Sequence, residues 1–193
     1  MKRIVVLVSG SGTNLQALID ARGDLQLEIA LVVSNRAAAY ALERAQAAQI
    51  PTLYFPLKGY TERGQYDADL ADQIAPYAPD LIVLAGWMHI LSPAFLNRFP
   101  HKVINLHPAL PGAFPGVDAI QRAYAAYQRG EIERTGIMVH YVIPEVDAGA
   151  VIAQTPVVFR PGEPLDEFER RMHGHEHDLL VRATGMALGV FSE

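Results

Sequence analysis

The chain has 193 residues, 50% of them hydrophobic and 19% charged, with a formal net charge of −5 and no cysteine. That length suits one domain with a sizeable core, and the composition is that of a folded globular chain rather than a disordered one. Interspersed acidic and basic residues offer no surface for nucleic acid or membrane, the lack of cysteine excludes disulfides and thiolate chemistry, and the apolar run near the N-terminus is too short for a signal peptide, so a cytoplasmic protein is expected.

The first element is the buried-strand run "IVVLVS", residues 4–9, followed by the turn "GSGTN" and the helical spacing of Leu15, Leu18 and Ile19. A second strand is expected over 27–35, an alanine-rich helix over 37–49 closed by Pro51, and a third strand at "TLYF". A polar-faced helix follows over 61–77 with Thr61 as its candidate N-cap, then a fourth buried strand over 80–87. The short helix "SPAFLNRF" has Ser92 in the cap position and Pro93 first inside, and "KVINLH" is the fifth strand. After a proline-rich loop come a helix over 117–130 and two long strands, "TGIMVHYVI" and "GAVIAQTPVVF". The short loop "PEVDAG" between them suits an antiparallel pair. A long helix over 164–189, with its glycines as candidate breaks, ends the chain. Continuous apolar strands alternating with helices predict an α/β fold: an open, mostly parallel Rossmann-like sheet with helices on both faces and an antiparallel C-terminal part. One domain over 1–193 is expected, with a nucleotide-binding half at 1–103 and a catalytic half at 104–193.

Two stretches carry polar chemistry. "SGSGTN", residues 9–14, joins the first strand to the first helix, at a favoured ligand edge of such sheets. It lacks the third glycine of the dinucleotide fingerprint and the Gly-Lys of a Walker loop. A simple phosphate monoester at Gly12, Thr13 and Asn14 suits it better, as does a plain tight turn with a Thr or Asn cap. In "NLHPALPG", Asn105 and His107 are two apart in a strand and so project to one side, before Pro108 stops the ladder. The pair belongs at a strand's carboxyl edge, facing a cleft; by itself the stretch also suits a polar strand end before a turn.

Taken together, "VLVSGSGTNLQALID", "DLIVLAGWMHILSP", "INLHPALPGAFPG" and "GIMVHYVIPEVDAGAVIAQ" resemble, in order and spacing, the phosphoribosylglycinamide formyltransferase family, the folate-dependent transformylases of purine synthesis. The resemblance covers nearly the whole chain. It implies transfer of the formyl group of 10-formyltetrahydrofolate, as co-substrate, to the amine of 5-phosphoribosylglycinamide, without a metal. It implies Asn105, His107 and Asp147 as catalytic residues, with His107 as the acid and Asp147 pairing with it and raising its pKa. Gly12, Thr13 and Asn14 would take the ribonucleotide phosphate and Glu176 the ribose hydroxyls. Arg63, Met88, His89, Ile90, Leu91 and Asn105 would form the folate site. His173, His175 and His177 are not expected to bind metal, since only His173 and His177 share a helix face and no inward acidic partner is evident. A monomer or homodimer is expected, with small-molecule partners only.

The chain departs from the family's usual pattern at His89, where arginine is common, and at Ala113, where the loop loses a lysine. A methionyl-tRNA formyltransferase would carry a basic C-terminal domain, whereas this acidic chain ends at Glu193. A formyltetrahydrofolate hydrolase and a non-catalytic nucleotide-binding module remain the alternatives; the Asn105, His107 and Asp147 set distinguishes the second, because a binding module has no need of it.

Overall fold

The computed structural model describes residues 1–191. The elements in chain order are β1 (Lys2–Val8), α1 (Thr13–Ala21), β2 (Leu27–Ser34), α2 (Tyr40–Ala47), β3 (Thr52–Tyr54), α3 (Arg63–Ile74), β4 (Leu81–Leu84), α4 (Pro93–Leu96), β5 (Val103–His107), α5 (Ala119–Gln128), β6 (Arg134–Tyr141), β7 (Val151–Val158) and α6 (Leu165–Ala187). The strands form one seven-stranded sheet in the order β3-β2-β1-β4-β5-β6-β7. The first five are parallel, β6 runs antiparallel to β5, and β7 antiparallel to β6. The open, mostly parallel sheet with an antiparallel C-terminal part is therefore present as expected.

Each face of the sheet buries its own apolar layer. Ile4, Val6, Val83 and Ile104 face Leu15, Leu18, Met172 and Leu180 of α1 and α6. Val5, Leu7, Ile82 and Val103 face Tyr66, Leu70 and Phe95 of α3 and α4. Strands buried on both faces need this continuous apolar run, which is why they read so plainly.

Several boundaries differ from the sequence expectation. Residues 37–39 are not helical, and α2 begins only at Tyr40. α3 starts at Arg63 with Glu62 in the cap position, so Thr61 caps nothing. Gly174 and Gly185 do not interrupt α6; the side chains around Phe168, Leu179 and Leu180 hold it to the sheet and outweigh the helix cost of glycine. The expected last residues of the domain, 192 and 193, lie outside the described residues.

The strand order reverses between β1 and β4, which neighbour each other while the chain departs from β1 toward β2. Crevices at such switch points, at the carboxyl ends of the strands, are where open sheets bind ligands. Here Ser9 staples the two ends: its N–H donates to Gly86 O at 3.0 Å and its Oγ accepts from Met88 N at 3.0 Å. Gly12 makes the turn into α1 at φ +74, and a Cβ there would lie 2.6 Å from Ala41 Cβ and 2.7 Å from Ala41 Cα. The glycine thus serves helix packing, not only the approach of a ligand. Gly12→Ala should cost about 1–3 kcal/mol, combining left-handed strain with overpacking. Urea unfolding measures it; an unchanged midpoint would contradict the packing role.

Candidate active site

A cavity of about 560 Å³ opens over the carboxyl ends of β1, β4 and β5. It is lined from both sides of residue 103, by the 9–14 turn, by 84–91, by the loops after β5 and β6, and by α6. Apolar side chains stand exposed around it: Met88 57%, Ile90 65% and Val117 71%. An apolar wall with a few convergent polar groups is the usual make-up of a small-molecule site.

The polar groups gather at one end. On β5 the face that carries Val103 continues through Asn105 to His107, and the antiparallel register sets His140 of β6 directly opposite Asn105. The loop from β6 to β7 then returns Asp147 to the same spot, with Asp147 itself in the left-handed region at φ +53. Tyr141 N–H donates to Ala150 O at 2.9 Å and closes the loop. Asp147 Oδ2 accepts from Gly116 N at 2.8 Å and lies 3.3 Å from His107 Nδ1. Its Oδ1 accepts from Asn105 Nδ2 at 3.3 Å and lies 3.5 Å from His140 Nε2. His140 Nδ1 lies 2.9 Å from Tyr141 O, and its Nε2 lies 3.3 Å from Asn105 Nδ2. The structure thus gathers the expected trio and adds His140, which the sequence reading did not single out. Its signal was one histidine in the otherwise apolar run of β6; without the register nothing marked it as facing Asn105.

The electrostatics give the Asp147 effect the expected sign but not the largest share. Burial pushes the His107 imidazole below its ordinary pKa; the Asp147 carboxylate and the Phe114 carbonyl oppose this without overcoming it. The carboxylate acts in the direction expected, but desolvation of a ring only 4% exposed is larger. Burial also works against the Asp147 carboxylate, yet the contact with His140, the Gly116 N–H and the charge of His107 together hold its carboxyl below the ordinary range.

At the other end of the cavity, α1 begins without a side-chain cap among the described residues, as helix ends that leave N–H groups for a ligand do. Gly12, Thr13 and Asn14 line the cavity there. Glu176 of α6, 5% exposed, accepts from Asn14 Nδ2 at 3.1 Å through Oε2. Met88, His89, Ile90 and Leu91 line the wall between. His89 Nε2 is 2.8 Å from Asn35 Nδ2, and burial followed by the charge of Arg63 lowers its pKa. Arg63 is not on the cavity wall: it pairs with the fully buried Asp67 at 3.0 Å and donates to Ile90 O at 2.6 Å, while Asp67 accepts from Ser92 N at 2.7 Å. It shapes the 90–92 segment from behind. Among the described residues no group of three or more His, Cys, Asp or Glu side chains is arranged to hold a metal ion.

Asp147→Asn should lower the His107 pKa further, because an opposite charge that favours the imidazolium is removed. NMR titration of His107 in both proteins measures this, and an unchanged value would dissolve the pairing.

The sequence model of the Formyl transferase family matches residues 2–184. The phosphoribosylglycinamide formyltransferase of Schizosaccharomyces pombe is 48% identical over 194 residues, covering 93% of this chain and 94% of that one. Its namesake in Dictyostelium discoideum is 45% identical, covering 93% and 95%. The crystal structure of glycinamide ribonucleotide transformylase 1 from Symbiobacterium toebii superposes with a TM-score of 0.91 at 38% identity, over 98% of this chain and 89% of that chain. With the family matched from β1 nearly to the end of α6, and the fold shared with its solved members, this chain belongs to the formyl transferase family.

Proposed function

We propose that the chain is a phosphoribosylglycinamide formyltransferase of purine biosynthesis, moving the formyl group of 10-formyltetrahydrofolate to the glycinamide amine of 5-phosphoribosylglycinamide. The observation that carries the reading is one cavity with an uncapped helix N-terminus at one end and the Asn105–His107–His140–Asp147 cluster at the other. The first suits the phosphate of a ribonucleotide, the second an acyl-transfer centre, and the apolar wall between them a folate. The relatives bearing that enzyme's name, at 48% and 45% identity over nearly the whole chain, support it.

In this reading the amine attacks the formyl carbon, and the carbonyl oxygen becomes an oxyanion. Asn105 Nδ2 and His107 supply donors to it, and the proton lost by the amine leaves with the folate nitrogen. Asp147 and His140 hold the two donors in place. Gly12, Thr13 and Asn14 take the phosphate, and Glu176, whose Oε1 has no hydrogen bond among the described residues, takes the ribose hydroxyls. Met88, His89, Ile90 and Leu91 receive the pterin, with Arg63 fixing their backbone. We read residues 1–193 as one domain whose two halves share both substrates, acting in the cytoplasm; no helix of the described residues is long and apolar enough to cross a membrane.

The test follows the absorbance of 10-formyl-5,8-dideazafolate with and without 5-phosphoribosylglycinamide. Release of the deformylated folate only with the amine is expected; release without it would mean hydrolysis, and no release would exclude transfer. His107→Ala should fold and lose about 100- to 1,000-fold in turnover, the usual cost of one oxyanion donor. Unaltered turnover would remove His107 from the chemistry.

A further inference from the structure

Gly149 is buried two residues past Asp147, where the loop turns into β7. Its φ lies outside the left-handed region, so its backbone conformation is open to any residue. What excludes a side chain there is contact. A Cβ would overlap the carbonyl oxygen of Tyr141 and stand 2.9 Å from the carbonyl carbon and 3.5 Å from His140 Nδ1. Glycine inside a strand region often marks such a close approach of two backbones. Any other residue must push the loop and the end of β6 apart.

Two further features share the spot. The Tyr141 oxygen that a Cβ would displace is the one lying 2.9 Å from His140 Nδ1. β7 also carries an extra residue: Val139 pairs with Ala153 and His140 with Val151, which leaves Ile152 with no residue opposite. Such a bulge bends its strand and re-aims the side chains beside it. Tyr141 N–H, donating to Ala150 O at 2.9 Å, then draws the end of the loop onto β6. Residues 143–146 of that loop are exposed, so its course is set where it joins β7.

We propose that Gly149 is a positioning residue: the close approach of its backbone to the Tyr141 carbonyl, at the β7 bulge, sets His140 and Asp147 against Asn105 and His107. The inference rests on the reading of that cluster as the acyl-transfer centre. Gly149 itself touches no reacting atom. It acts through the Tyr141 peptide on one side and through Asp147 on the other. A shift of the loop lengthens the 3.3 Å contacts of Asp147 Oδ2 with His107 Nδ1 and of Oδ1 with Asn105 Nδ2. Burial lowers the His107 pKa, and among the groups facing the ring Asp147 opposes this most; the Phe114 carbonyl helps it, while His140 and Arg122 work with burial. With Asp147 farther away, the His107 pKa therefore falls further.

The experiment compares the parent with Gly149→Ala, Asp147→Asn and the double variant, by turnover and by NMR titration of His107. Gly149→Ala should fold, because the exposed loop is free to yield. It should lose about 100-fold in turnover, the scale of a small misplacement of catalytic groups, with the Michaelis constant for the ribonucleotide little changed. Its His107 pKa should drop toward that of Asp147→Asn, and in the Asp147→Asn background the alanine should cost little more, since both changes remove one interaction. Gly185→Ala, which crowds the ring of Phe191 from α6, should move neither turnover nor the His107 pKa. Undiminished turnover, an unmoved His107 pKa, a cost undiminished in the Asp147→Asn background or an equal pKa shift in Gly185→Ala would overturn the proposal. So would loss of the fold in Gly149→Ala, which would make the glycine a requirement of the sheet and not of the site. If the parent transfers nothing while Gly149→Ala still lowers the His107 pKa, the reading of the activity falls and the positioning stands.

Discussion

The arrangement of the cluster depends on one carboxylate. Asp147 touches Asn105 and His140 through Oδ1, and His107 and the Gly116 N–H through Oδ2. Those partners come from β5, from β6 and from the loop after β5, so a single side chain ties three segments together. A carboxylate with only 10% of its side chain exposed needs partners for its acceptor sites, and four groups approach it here. Its own backbone sits at φ +53, a conformation a non-glycine residue adopts only where its surroundings insist. The contacts of the side chain and the strain of the backbone are the two sides of one constraint.

The change of sheet direction makes this geometry reachable. Because β6 is antiparallel, it enters at the carboxyl end of β5, sets His140 opposite Asn105, and leaves beside the start of β5, where Val142 N–H donates to Val103 O; the loop that follows folds back and brings Asp147 to Asn105 and His107. β7 returns antiparallel to β6 and anchors the loop from beyond. The crevice of the parallel part and the cluster of Asn105, His107, His140 and Asp147 open into one cavity.

How much of this could be read from the residues follows from the range of each interaction. The strands β1, β2, β4 and β5 announced themselves through unbroken apolar runs, since burial on both faces leaves no other composition. The pairing of Asn105 with His107 was visible too, because two-residue alternation is a local property of a strand. His140 was not, because its facing Asn105 depends on a register between strands 35 positions apart. The resemblance alone supplied Arg63; its pairing with Asp67 and its bond to Ile90 O, which set it behind the cavity wall, are decided by packing. Gly12 likewise suggested ligand approach, while the closer neighbour is Ala41. The resemblance bridged part of this gap, supplying Asp147 and Glu176, which read alone are a turn residue and a helix-face carboxylate.

His107 carries a conflict that bears on how such a site works. Its Nδ1 faces Asp147 and its Nε2 faces Phe114 O at 3.0 Å, so both nitrogens look at groups that only accept. A neutral imidazole has one hydrogen and satisfies one of them; only the imidazolium satisfies both. Yet burial disfavours the imidazolium and wins. The Phe114 carbonyl is not left bare, because Arg122 donates to it at 2.7 Å and to Pro115 O at 2.6 Å. The substrate-free ring can therefore stay neutral with its hydrogen toward Asp147 while Arg122 covers the carbonyl. An oxyanion developing beside the ring shifts that balance, since a negative charge in a dry site adds to the pull of Asp147 and favours the second proton. In the proposed reaction the imidazolium would be disfavoured before the chemistry and favoured as charge appears on the formyl oxygen, the kind of difference between ground state and transition state that speeds a reaction.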